Sequence, residues 1–157
     1  MPGPEPLFHW PAPDLILLSV ARLGLAALLG ALLGIQRERV HSAAGLRTHV
    51  LVGLGAALFV LADIASGGDH STVSRVIQGV IAGIGFLGAG TILKVGDKAQ
   101  VLGLTTAASI WVTAAVGVAA GLGQIWLAGL ASVLGWFVLG PLARYEKKSG
   151  PPPTPVS

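Results

Sequence analysis

Seven acidic and ten basic side chains are spread over 157 residues, and two of them lie inside apolar runs. Arg22 sits within LILLSVARLGLAALLGALLGI and Asp63 near the far end of VLVGLGAALFVLADIA. A charge at bilayer depth costs at least ~2.5 kcal/mol and marks a paired or functional residue. An intramembrane ion pair between Arg22 and Asp63 is therefore expected, with a structural role or a place on a solute path. A hard cation such as magnesium wants about six oxygen ligands, and Asp14, Asp63 and Asp69 are too few to cage one within a single chain. An oligomer repeating Asp63, or the carbonyls of an opened glycine segment, would supply more. Asp69–His70, in SGGDHSTVS, reads as a solvated turn, and no metal ligand set is assigned. HExxH and GxSxG are absent, and GFLGAG lacks the lysine of a P-loop and follows no strand. Cysteine is also absent, which excludes disulfides, thiolate metal sites and cysteine catalysis. Neither an enzymatic activity nor a resident cofactor is expected.

Three further groups carry polar or small side chains at informative spacing. QRERVHSAAGLRTH gathers Arg37, Glu38, Arg39, Arg47, Thr48 and His49, as a solvated basic loop or as a site for an anionic headgroup, a phosphate or an acidic partner face. RVIQGVIAGIGFLGAGTIL, residues 75–93, holds Gly79, Gly83, Gly85, Gly88 and Gly90 around Phe86. A glycine costs a helix interior about 1 kcal/mol relative to alanine, so five of them need a reason. As a regular helix the stretch is a close-packing surface, with Gly79 and Gly83 four apart. As a broken helix it lines a site with freed backbone groups. The third group is Thr105, Ser109, Thr113, Gly117 and Gly121, each four apart, with Thr106 beside them. It is a ridge that packs and hydrogen-bonds across to another helix, or lines a polar path; packing is the preferred reading of both surfaces.

The elements that must position these groups are membrane spans. The chain is 53% hydrophobic and 11% charged with a mean hydropathy of +0.77, against about 25% charged in soluble domains. Apolar runs predict spans at about 15–35, 50–65, 75–93, 101–122 and 125–142, the last two forming a hairpin hinged near Gly121 and Gly123. A proline-rich tail (1–13) precedes the membrane domain (14–142), and a basic, then proline-rich tail (143–157) follows it. Residues 1–13 lack the basic region of a signal peptide. One side of the membrane receives Arg37, Arg39, Arg47, Lys94, Lys98, Arg144, Lys147 and Lys148, and the other only Arg75. The positive-inside rule then puts the N-terminus outside and the C-terminus in the cytoplasm. The net charge of +3 thus speaks to topology, and nucleic acid is not an expected partner.

GIQRER (34–39), AGLRTHVLVGLGAALF (44–59), GVIAGIGFLGAGTIL (79–93) and GLTTAASIWVTAAVG (103–117) resemble, in order and spacing, the membrane domain of the MgtC/SapB family. The resemblance covers about residues 14–142. It implies a bacterial inner-membrane protein associated with growth under magnesium limitation. Family members are labelled magnesium transporters, while several act by modulating other membrane machinery. Carried over by motif, the residues of interest are Arg22, Arg37, Glu38, Arg39, Arg47, Thr48, His49, Gly83, Gly85, Phe86, Gly88, Gly90, Thr105, Thr106 and Trp111. Better-known members add a cytoplasmic ACT-like domain, whereas this chain ends soon after its fifth span, so its function is expected in the membrane core.

The expectation is an all-α, polytopic bundle of five transmembrane helices, with the third and fourth as its packed centre. The preferred function is a regulator of other membrane proteins in magnesium homeostasis; the alternative is a magnesium or small-ion channel or transporter. Expected partners are the lipid bilayer, a second copy in a homodimer, and other membrane proteins. Three Gly-xxx-Gly pairs, 30/34, 79/83 and 117/121, exceed what one small bundle needs.

Overall fold

The computed structural model of the chain describes residues 11–95, 100–143 and 145. Five helices follow one another: α1 (Pro13–Arg39), α2 (Leu46–Ala65), α3 (His70–Gly90), α4 (Leu104–Gly121) and α5 (Ile125–Phe137). The last runs on through a π turn at Val138–Leu142, and with it all five are long and apolar enough to cross a bilayer. The expected five-span helical bundle is therefore the fold. A short antiparallel hairpin, β1 (Leu93–Val95) with β2 (Gln100–Leu102), joins α3 to α4 where a plain loop was expected. The tails, apart from 11–13, 143 and 145, lie outside the described residues, as do Asp97, Lys98, Arg144, Lys147 and Lys148.

Local chemistry sets the boundaries. Pro13 opens α1, where a missing N–H costs nothing, and Asp14 follows in the first, partly positive turn. α3 begins at His70 rather than Arg75 because Asp69 caps it. One Asp69 carboxylate oxygen accepts the backbone N–H groups of Ser71 and Thr72 at 2.8 and 2.9 Å. These bonds, the one from Thr72 foremost, hold the Asp69 carboxyl below the usual carboxylate range. Gly103, at φ 93, ends the hairpin in a conformation that side chains resist, with the Thr91 carbonyl where a Cβ would sit. Pro141 lacks the N–H an α-helical turn would use, and the chain widens there into the π turn.

α4 is the centre of the bundle and touches the other four helices. The core around it is built largely from alanine: Ala26, Ala57, Ala119, Ala120 and Ala128 are buried with Leu33 and Val116. Such small side chains let backbones meet. A Cβ on Gly30 would lie 2.7 Å from the His49 carbonyl oxygen, on Gly53 2.9 Å from that of Ala26, and on Gly121 2.8 Å from that of Ala57. Gly117 rests directly on the Gly53 carbonyl, and Gly34 on the Leu46 backbone. The 30/34 and 117/121 pairs are thus consumed within the chain.

The third helix meets one expectation and departs from another. It is unbroken through Gly90, as the preferred reading has it, and no opened segment lines a path. Nor does it share the packed centre with α4, because within α3 only Ile84 and Gly88 are buried. Gly88 meets the Ala107 side chain at an ordinary 3.6 Å, while Gly79, Gly83, Gly85 and Gly90 have no atom of the described residues within 4 Å of a built Cβ.

α1 overshoots the bundle at its first end. Arg22 is level with the α4–α5 turn, which leaves residues 13–21, about 13 Å of helix, standing clear with Leu17 71% and Val20 61% exposed.

Gly117→Ala should cost about 1–3 kcal/mol by forcing the α2 and α4 backbones apart, whereas Gly83→Ala should gain up to about 1 kcal/mol. Equilibrium unfolding in mixed micelles reads both, and equal effects would contradict this packing. A second expectation concerns pH. Because the folded Asp69 carboxyl titrates below its unfolded counterpart, its stabilisation is complete above the ordinary carboxylate range and is lost as pH falls through the lowered value. Amide exchange at Ser71 and Thr72 should accelerate across that window in the native chain and not in Asp69→Asn, which caps without a charge.

Candidate functional site

The basic end of the bundle holds a polar network that ties α1, the α1–α2 loop, α2 and α4 together. The chain reverses at His41, in the left-handed region at φ 52, and brings Ser42 back under the end of α1. Arg37 Nη2 donates to Thr106 Oγ1 at 2.8 Å and to Ser42 Oγ at 3.2 Å, and the two hydroxyls meet at 2.9 Å. Thr106 is 3% exposed. Among the described residues Arg37 Nε is buried without a partner, and the partners this guanidinium has are hydroxyls. Glu38, the neighbouring carboxylate, is turned away. Its Oε2 accepts the Leu46 N–H at 2.9 Å and places a negative charge on the N-terminus of α2. Gly45 makes room for it, since a Cβ there would collide with the carboxylate.

His49 continues the network inward and is wholly buried. Its Nδ1 lies 2.8 Å from the Gly45 carbonyl, which can only accept, so the ring carries a proton on that nitrogen. Nε2 lies 3.1 Å from Ser109 Oγ, which also reaches the Thr106 carbonyl at 2.7 Å. The single hydroxyl proton serves one of these two. Given to the ring, it leaves a neutral imidazole. Given to Thr106, it requires a proton on both ring nitrogens. Thr113 closes the row by donating to the Ser109 carbonyl at 2.8 Å. The hydroxyl ridge of α4 is thus mostly used inside the chain, with Thr106, Ser109, Thr113 and Gly117 buried and Thr105 exposed.

Other predicted residues are not gathered here. Arg39 and Arg47 are exposed, Thr48 faces an apolar groove between α2 and α3, and half-exposed Trp111 lines a smaller groove beside α3. Phe86 is 82% exposed. Among the described residues no three His, Cys, Asp or Glu side chains group together.

The expected Arg22–Asp63 ion pair is not formed. Arg22 Nη1 donates to the Gly121 carbonyl at 2.9 Å and lies over Gly123, setting a cation on the negative C-terminal end of α4. Asp63 Oδ2 accepts from Thr72 Oγ1 at 2.9 Å and fills the space left by Gly68, tying α2 to the start of α3. Both charges find polar partners at the turns that end the helices, so neither needs the other.

Two contributors escaped the sequence reading. Ser42 was not singled out, although a small hydroxyl between two helices was the available signal. Gln36 is 5% exposed and sits against Gly140 in the π turn, its side-chain nitrogen 3.0 Å from a built Cβ. Its signal was a lone amide three residues beyond Leu33 on a buried face.

Five apolar spans around a polar network at one end define a multi-pass helical membrane protein. The chain belongs to the MgtC family, whose model matches residues 23–148. It is 45% identical over 137 residues to SrpB of Synechococcus elongatus, covering 80% of this chain and 74% of that one. It is 49% identical over 115 residues to MgtC of Brucella abortus, covering 73% of this chain and 47% of the relative. It is 44% identical over 128 residues to an Escherichia coli protein named "Putative magnesium transporter YhiD", covering 76% of this chain and 58% of that one. The chain thus spans about half the length of the last two relatives. No solved structure matches it.

Thr106→Val should destabilise the bundle by about 1.5–3 kcal/mol, the worth of a hydrogen bond to a charged group, while Thr106→Ser should stay close to the parent. Unfolding midpoints of the two variants decide it; a neutral valine would mean that Arg37 is held by other contacts.

Proposed function

We propose that this chain is a bacterial inner-membrane protein that supports adaptation to low magnesium by docking on other membrane proteins, with its N-terminus outside and its C-terminus in the cytoplasm. Membership of the MgtC family supports the membrane and magnesium parts of this reading, and the printed name of YhiD supports the second. The orientation rests on the positive-inside rule.

One observation carries the docking reading: the outward face of α3. Gln78, Ala82, Gly85, Phe86 and Ala89 recur at helical spacing and are all exposed, and no described residue comes within 4 Å of a Cβ built on Gly85. Small residues around one aromatic let another helix approach closely. Gln78 strengthens the argument, because an amide facing hydrocarbon is costly without a hydrogen-bond partner. The homodimer expected from the sequence would use this helix too, since the 30/34 and 117/121 glycine pairs are occupied within the chain.

A second reading, a magnesium carrier, is favoured by the printed name of YhiD. On that reading Asp63 is the carboxylate on the path. The two separate cleanly. Purified protein in liposomes holding a magnesium-sensitive dye should give no flux, and Phe86→Ala or Gly85→Leu should lose co-purifying membrane partners at unchanged protein level. Flux that disappears in Asp63→Asn would establish the carrier instead.

A further inference from the structure

α3 stands away from α2 along a groove of about 790 Å³ that is apolar except for Thr48 at one end. On α2 it runs from Thr48 to Phe59, and on α3 from Leu87 back to Val76. Eleven residue steps on each wall make about 16 Å of helix. A bilayer's hydrocarbon core is about 30 Å thick, so one leaflet is about 15 Å. The groove therefore begins at the basic end of the bundle and ends near the membrane midplane.

Three glycines give it depth. Gly55 on one wall and Gly79 and Gly83 on the other carry no side chain, and among the described residues nothing comes within 4 Å of where their Cβ atoms would stand. A groove this apolar, opening towards hydrocarbon, suits an alkyl chain lying along the helices.

The basic end tells which molecule supplies that chain. Arg47 is exposed and falls four residues before Leu51, at the head of the ridge Leu51, Gly55, Phe59 that forms the α2 wall. Thr48 lines the same mouth with a hydroxyl. A cation and a hydroxyl one leaflet's depth above the inner end of the groove match a phosphate headgroup joined to an acyl chain.

We propose that the α2–α3 groove is a binding site for one anionic phospholipid of the leaflet at the basic end, its acyl chain between α2 and α3 and its phosphate on Arg47 and Thr48. The bound lipid completes the packing of α3, which the chain itself leaves open. This proposal does not depend on any docking partner, since the outward face of α3 is a different surface.

The test uses the full chain, reconstituted in vesicles of equal phosphatidylglycerol and phosphatidylethanolamine, extracted in mild detergent and weighed by native mass spectrometry. The expected result is one retained phospholipid per chain, with phosphatidylglycerol favoured about fivefold, the worth of one surface cation. The double variant Gly79→Leu/Gly83→Leu, at positions where a Cβ has no described atom within 4 Å, should keep its helicity and lose the retained lipid. Arg47→Gln should keep a lipid and lose the headgroup preference. Equal retention by the double variant, or no preference in the parent, overturns the proposal. So does a parent that carries no lipid and instead crosslinks to a second copy along this groove.

Discussion

Direct contact between helix backbones is the constraint on which this bundle rests. Gly53 lies against the Ala26 carbonyl on one side, and its own carbonyl lies under Gly117 on the other. Through that single residue α1, α2 and α4 are drawn to the separation that glycine allows. In lipid, where burying apolar surface gains nothing over leaving it in the bilayer, close van der Waals packing is what holds helices together. The alanine-rich core follows from it. Larger side chains would have no room between helices already in contact, and the polar network at the basic end forms only because His49 and Ser109 are brought within reach of each other.

α4 is organised by arginines at both ends, in different ways. Arg22 covers carbonyls at its C-terminus, where a cation is welcome. Arg37 binds the Thr106 hydroxyl in its first turn, where a cation is not welcome and where Glu38 is engaged elsewhere. The first contact is a cap and fastens the α4–α5 turn to α1. The second holds positive charge at the mouth of the bundle without neutralising it.

The five spans were legible in the sequence, because the length of an apolar run is a property of the chain alone. Gly30, Gly34, Gly117 and Gly121 were legible too, since four-residue spacing places them on one strip wherever the neighbour stands. The Arg22–Asp63 pair was misjudged for a physical reason: counting residues into an apolar run gives depth only if the run begins at the membrane surface, and α1 begins well beyond the bundle. The glycines of α3 were misjudged because composition states that a surface is smooth but not what lies opposite. Among the described residues nothing stands opposite most of them. Ser42 and Gln36 act through a reversal at His41 and a π turn at Pro141, neither of which has a periodic signature.

The unequal lengths of the helices reach beyond the protein. At 27 residues α1 is about 40 Å long, whereas α4, at 18 residues, is about 27 Å. The apolar run of α1, residues 15–35, is about 31 Å of its length and matches a hydrocarbon core of about 30 Å, while α4, held by Arg22 and the glycine contacts, ends well inside that run. Such a body tilts, or thins the lipid around its shorter centre. A bundle of such unequal helices fits a thinner bilayer at its centre than along the flank of α1.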